Sequence, residues 1–169
     1  MTYYFTWLHG GALAPYVLAQ LPNERRITLL TPKIGGNYDD FTNFMWYSCQ
    51  VGRDLIFQVE DAEVNCRVLH VEAACFSVED RAPTDQPRYD PCLVNANDRF
   101  AYVIGGHFKR CCLGSVSRYD TSSDVWQSMP QLNIARAQAS ACFLGDIIYV
   151  ICGVGNTTRL NSIERLSTT

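Results

Sequence analysis

Charge, histidine and long apolar runs are all scarce in this 169-residue sequence, and each shortage excludes a class of function. Only 18% of the residues are charged and the formal net charge is −3. No Lys/Arg stripe is present to neutralise phosphates, so nucleic acid is not an expected partner. No apolar run approaches the roughly 18 residues of a transmembrane helix, and no membrane partner is expected. The segment Met1 to Trp7 lacks the basic n-region and leucine-rich core of a secretory signal. The three histidines, His9, His70 and His107, are scattered, which offers no imidazole cluster to a metal. His107 with Cys111 and Cys112 has ligand chemistry, but adjacent cysteines rarely reach one tetrahedral ion and no second ligand pair follows. No cofactor, metal or small-molecule substrate is therefore expected. Stretches of helical period are missing as well.

Cysteine, by contrast, is plentiful, with eight residues. Cys49, Cys75, Cys142 and Cys152 sit inside apolar runs. Without a secretory signal, the expectation is reduced thiols serving as small core hydrophobes, and a cytoplasmic location.

One apolar run recurs. Arg99-Phe100-Ala101-Tyr102-Val103-Ile104-Gly105-Gly106 has an echo 47 residues later, where Tyr102 falls on Tyr149, Gly105-Gly106 on Cys152-Gly153, Val116 on Ile163 and Arg118 on Arg165. Another lies 45 residues earlier, where Tyr102 falls on Phe57. At the combined offset of 92, Asp54-Leu55-Ile56-Phe57 matches Asp146-Ile147-Ile148-Tyr149, and Val71-Glu72 matches Ile163-Glu164. A weaker copy, Phe5 to Gly11, ends in Gly10-Gly11, 50 residues before Asp61. A fixed period of this length marks a repeat architecture. In the clearest copy, turn residues separate four short β-prone runs: Cys92 to Val94, Arg99 to Gly106, Ser115 to Asp120 and Asp124 to Met129. The second runs are almost wholly apolar, as strands buried on both faces are. In the first copy Tyr16 to Ala19 and Ile27 to Leu30 read as third and fourth strands, and Lys33 to Asp40 as a loop insertion. The second copy has Glu60-Asp61 in place of the glycine pair and a fourth strand near Asp80 to Pro83.

This pattern resembles the kelch repeat family. The residues that carry the resemblance are Tyr102 to Gly106, Arg118-Tyr119-Asp120, Trp126, Met129-Pro130 and Arg136, then Gly145 to Gly153 and Ser162 to Arg165. The resemblance implies an all-β, kelch-type β-propeller. About four blades of four antiparallel strands are expected, near residues 1–32, 41–87, 88–134 and 135–169, with the first and last incomplete, as an open arc or fragment. Gly10, Gly11, Tyr102, Gly105, Gly106, Tyr119, Trp126, Tyr149 and Gly153 are its structural residues, with the glycine-ended second strand expected as the inner strand of each blade.

The family resemblance further implies a non-enzymatic module that binds a protein partner through rim loops. Family members often serve as substrate-recognition parts of ubiquitin ligases or as cytoskeletal scaffolds. The loop residues proposed for that contact are Arg88, His107, Phe108, Lys109, Arg110, Arg136, Asn156 and Arg159. Arg88 and Arg136 stand 48 apart and have a second reading, as arginines capping internal carbonyls. Phe108 has one too, as a buried ring. The rival function is a propeller enzyme, a sialidase-like hydrolase or a kelch-type oxidase, disfavoured because catalytic or metal-binding side chains do not cluster. Ser122 to Trp126 faintly resembles a sialidase Asp-box without its glycine and threonine. Asn156-Thr157-Thr158 is a glycosylation sequon that matters only in a secreted protein.

Overall fold

The structure, a computed structural model, describes residues 2–4, 17–20, 27–32, 46–52, 55–72 and 75–168. Every regular element among them is a strand. The first three are β1 (Thr2–Tyr4), β2 (Val17–Gln20) and β3 (Ile27–Pro32). Next come β4 (Trp46–Val51), β5 (Leu55–Glu60), β6 (Cys66–Val71) and β7 (Cys75–Arg81). The best-defined sheet contains β8 (Cys92–Ala96), β9 (Phe100–Ile104), β12 (Val116–Asp120) and β13 (Val125–Met129). The short β10 (His107–Phe108) and β11 (Cys111–Cys112) pair as a separate hairpin. The last sheet holds β14 (Ser140–Leu144), β15 (Ile147–Ile151) and β16 (Ile163–Ser167).

These strands form antiparallel meanders standing side by side as blades of an open, incomplete β-propeller. Local chemistry sets the turns. Gly145 and Asp146 both have positive φ, 55° and 66°, in the two-residue loop between β14 and β15. That geometry matches the right-handed twist of the flanking strands.

Alternation then builds the interfaces. On β9, Ala101 and Val103 point into a cluster with Val51, Phe57, Val59, Cys66, Val68 and Tyr119. Tyr102 and Ile104 point the other way, to Val116, Ile148, Val150 and Leu166. All four β9 residues are at most 1% exposed, because a blade lies against each face of this sheet.

Three expectations are corrected by the sheets. The inner edge is β8, which lies against both β4 and β14, while β9 stands one place outward. In the second blade the third strand ends at Val71 instead of beginning there. Its loop after β5 is a tight Asp61–Asn65 turn, whereas the third blade has room for the β10–β11 hairpin. Its fourth strand, β7, consequently starts at Cys75, ahead of the expected Asp80.

At the N-terminus, strand pairing begins at Thr2–Tyr4, earlier than Phe5, and β3 pairs in parallel with β7 at Thr31↔Cys75 and Pro32↔Phe76. The strands expected as a first blade therefore extend the second sheet, covering an outer edge that would otherwise expose unpaired backbone groups. Gly10, Gly11 and the Lys33 to Asp40 insertion lie outside the described residues.

All eight cysteines are free thiols. Burial pushes the Cys49 and Cys66 thiols up to about 12, and that of Cys92 to about 11. Cys142 and Cys152, expected in the core, are exposed. Cys142 lies on a sheet face that no described residue covers, together with Leu144 (69% exposed) and Ile163 (59%).

Candidate functional site: the axial rim

The loops after each second strand and before each first strand meet on one side of the sheets. The glycine pair makes that meeting possible. Gly106 has φ +94°, and a Cβ there would sit 2.8 Å from the Tyr89 carbonyl oxygen. Gly153, its counterpart, has φ +101° and would clash with the Ala137 carbonyl oxygen at 2.7 Å. Both positions need an αL backbone and close approach of a neighbouring chain, which glycine alone provides without strain. The reward is a two-way backbone bridge beside each glycine: Tyr89 with His107 and Ala137 with Val154, all at 2.8–2.9 Å. Where Glu60-Asp61 replaces the pair, the Ala62 amide donates to the Arg88 carbonyl (3.0 Å) and Asp61 Oδ1 accepts from the Asp90 amide (3.2 Å).

Beneath the rim lie two buried arginines. Arg88 Nη1 donates to the Gly105 carbonyl (3.0 Å) and Ser115 Oγ (3.2 Å), and Nη2 donates to Asp85 (2.9 Å). Arg136 Nη1 donates to the Cys152 carbonyl (2.8 Å), and Nη2 to Ser162 Oγ (3.1 Å) and Glu164 (2.6 Å). At 0% and 1% exposure neither can touch a partner in this conformation. They cap carbonyls at the ends of the second strands, and their place among rim contact residues is withdrawn. Desolvation lowers the Arg88 pKa, with Asp85 opposing it.

The other rim candidates do come together. His107 and Phe108 form β10, and Lys109 and Arg110 form the turn into β11, both with positive φ (48° and 69°). Glycine, asparagine or aspartate usually fills such a turn. Here two exposed cations occupy it, with Lys109 Nζ 5.3 Å from the centre of the Phe108 ring. Phe108 itself is half-buried. Asn156 Oδ1 accepts from the Cys112 amide (2.6 Å), tying this hairpin to the neighbouring loop that carries exposed Arg159. Cys112 Sγ is engaged by the Val154 carbonyl (3.3 Å), and no group of three metal-ligand side chains occurs among the described residues.

A second group gathers beside the hairpin. Asp90 Oδ1 accepts from the Tyr47 hydroxyl (2.6 Å), and Asp90 Oδ2 from Gln138 Nε2 (2.9 Å). His107 Nδ1 lies 3.9 Å from Asp90, and the His107 ring stacks on exposed Tyr89 at 5.2 Å. Burial raises the Asp61 pKa, and the Asp90 charge adds to the rise against the pull of His107. Burial also raises that of Tyr47, helped by its bond to Asp90. Residues from three blades thus build one polar patch. Of this group only His107 stands among the contact residues expected from the sequence, where Asp61 reads as a replaced glycine. The repeat register held a signal, because Asp90 and Gln138 both stand two residues after the buried arginines and both take positive φ (48° and 53°).

Comparison with known proteins agrees with this architecture. The family model for the kelch motif matches residues 101–133 and 135–169. Residues 101–133 and 135–169 are thus two kelch repeats. Human kelch-like protein 4 is 39% identical over 49 residues, covering 29% of this chain and 7% of that protein. Human kelch repeat and BTB domain-containing protein 13 is 40% identical over 60 residues, 34% of this chain and 13% of its own. An F-box/kelch-repeat protein of Arabidopsis thaliana is 40% identical over 52 residues, 31% of this chain and 12% of its own. The matches therefore span a small part of each relative. The solved structure of YjhT superposes with a TM-score of 0.59 over 66% of this chain and 34% of that one, at 17% identity, a likeness of fold.

Proposed function

We propose that this kelch-repeat chain is a non-enzymatic, cytoplasmic protein-interaction module that presents its axial rim to a partner protein. The observation that carries the reading is the Phe108–Arg110 hairpin tip. Two cations sit in a left-handed turn on a loop cross-tied to its neighbour by Asn156, above arginines spent on holding the loops. Backbone strain retained at an exposed, rigidly supported loop is characteristic of contact surfaces. Two relatives pair kelch repeats with a BTB domain or an F-box by name. On that likeness, the role within a larger assembly is substrate recognition for a ubiquitin ligase, with cytoskeletal scaffolding as the other role.

The test is cross-linked capture from source cells, comparing wild type with Phe108→Ala and with the double variant Lys109→Ala/Arg110→Ala. Ser122→Ala, on the far outer turn, serves as control. Partners should be lost in the rim variants and kept in the control. Equal recovery from all four proteins would remove the hairpin as the binding face.

A further inference from the structure

Cys111 and Cys112 are consecutive thiols on β11, a strand of two residues in a sheet whose other member is β10. The register Phe108↔Cys111 and His107↔Cys112 fixes where each thiol points. Successive strand side chains project to opposite faces, so Cys111 shares a face with Phe108 and Cys112 with His107. Cys111 is exposed, whereas Cys112 is half-buried, with Sγ engaged by the Val154 carbonyl at 3.3 Å. Burial raises the Cys112 thiol pKa. The Cys112 amide donates to Asn156 Oδ1 at 2.6 Å, which ties β11 to the neighbouring loop. A two-stranded hairpin is marginal by itself. This one also keeps Lys109 and Arg110 at positive φ in its turn, a strain that unpairing would release. β10, by contrast, is pinned by the two-way bridge between His107 and Tyr89, both bonds 2.8 Å. The hairpin belongs to the blade whose inner strand, β8, lies against both β4 and β14, so its neighbours on both sides are described.

We propose that Cys111 and Cys112 are a site of reversible oxidation by hydrogen peroxide, whose disulfide and whose hairpin exclude one another. A disulfide needs its two Cβ atoms facing each other at about 3.5–4.5 Å. Strand geometry sends adjacent Cβ atoms to opposite faces, so the ring closes only after Cys111 leaves the extended conformation. Leaving it breaks the pairing with Phe108 and His107 and draws Cys112 away from Asn156 and Val154. The unpaired strand is thus the minor state that the ring captures. Exposed Cys111 meets the oxidant first: its sulfur attacks hydrogen peroxide, a sulfur–oxygen bond forms, the oxygen–oxygen bond breaks and water leaves. The Cys112 sulfur then attacks the Cys111 sulfenic acid. The sulfur–sulfur bond forms as the sulfur–oxygen bond breaks, and the Cys112 proton leaves with the oxygen as a second water. The two thiols lose two electrons and the peroxide gains them. A ring this small is strained, so a dithiol reopens it readily by exchange, as a transient cytoplasmic disulfide requires. Closing the ring releases the Lys109–Arg110 turn from its cross-tie. That step stands on the hairpin alone, and its effect on a bound partner rests on the rim reading.

The test treats the full 169-residue chain with equimolar hydrogen peroxide, alkylates the remaining thiols and reads a tryptic digest by mass spectrometry. Trypsin cuts after Arg110 and Arg118 and releases Cys111 to Arg118, a peptide with no other cysteine. Expected is this peptide unalkylated and lighter by two hydrogens, returning to the doubly alkylated form after dithiothreitol. In the oxidised chain the Cys112 amide should exchange about tenfold faster or more, with the His107 amide unchanged. Double alkylation of the peptide while exposed Cys142 or Cys152 is oxidised would overturn the proposal. So would a bridge from either thiol to another peptide, or sulfinic acid in place of the ring. A ring formed with Cys112 exchange unchanged would overturn it too, because hairpin and disulfide would then coexist. Cys112→Ser should stop at the Cys111 sulfenic acid, trapped by dimedone, and absence of that adduct would overturn the order of attack. The decisive peptide comes from the unaltered sequence, so the result does not depend on a variant's folding.

Discussion

Replacing Arg136 with alanine tests whether the guanidinium beneath the rim is a structural clamp. Its side chain is 0% exposed and donates to the Ile134, Cys152 and Ser162 carbonyls as well as to Ser162 Oγ and Glu164. Its removal strands the carbonyls and leaves the Glu164 carboxylate, itself 10% exposed, without its counter-charge. Deleting one partner of a buried ion pair costs about 3–5 kcal/mol. Glu164 keeps three other donors, the Asn133 and Ile134 amides and Asn133 Nδ2, so the low end applies, about 3 kcal/mol. For a chain of this size that lowers Tm by about 6–12 °C. Arg88→Ala is the comparison. Its carboxylate partner, Asp85, is 45% exposed and can regain water, so a smaller loss of about 1–2 kcal/mol follows. Scanning calorimetry with urea unfolding measures both, and Arg136→Lys should recover only part of the loss because an ammonium lacks the planar fork. Equal losses for the two arginines, or less than about 1 kcal/mol for Arg136→Ala, would refute the clamp.

Three further outcomes follow from the same contacts. Trp126→Ala should cost about 3–5 kcal/mol by urea unfolding. Trp126→Phe should cost about 1 kcal/mol beyond lost area, for the missing indole bond to Ala82. Gly106→Ala should lose about 2–3 kcal/mol through its φ and the Tyr89 carbonyl. Gly145→Ala, with open space around it, should lose only about 1 kcal/mol. The third concerns acid. Burial would raise the Glu164 pKa, but the Asn133 and Ile134 amides and Arg136 outweigh it, while the Tyr119 hydroxyl and Ala82 amide lower that of Asp124. Folded pKa values below the unfolded ones mean that this stability is full above the ordinary carboxylate range, near about 4, and is lost as pH falls through the folded values. Melting temperatures between about pH 3 and 7 should drop less steeply in Glu164→Gln and Asp124→Asn, each measured against its own neutral-pH value.

The strands β8, β9, β12, β13, β15 and β16 were legible because their signals are local, whereas the β10–β11 hairpin was read as a loop and β14 was not read as a strand. Apolar alternation and turn residues specify a strand wherever its neighbours stand, and the 47-residue echo set their register. Trp126 was legible as a packing residue for the same reason. Harder to read was the second blade, where a five-residue turn replaced an eleven-residue connection and slid the third strand back. Loop length changes nothing in the alternation that identifies a strand, so a constant offset could not reveal the slip.

Sequence alone determined the repeat, the all-β class and the need for glycine at Gly106 and Gly153. Tertiary structure decided which strand faces the axis, since β8 and β9 carry similar apolar side chains and only convergence of the sheets separates them. It also decided that Arg88 and Arg136 are internal while Lys109 and Arg110 are external. Charge type is written in the sequence, but whether a guanidinium faces water or a ring of carbonyls depends on chains brought together from different blades. The Asp61–Asp90–His107 patch and the tie between Asn156 and the β10–β11 hairpin have the same origin. Each arises from the placement of whole sheets, which no single stretch of residues encodes.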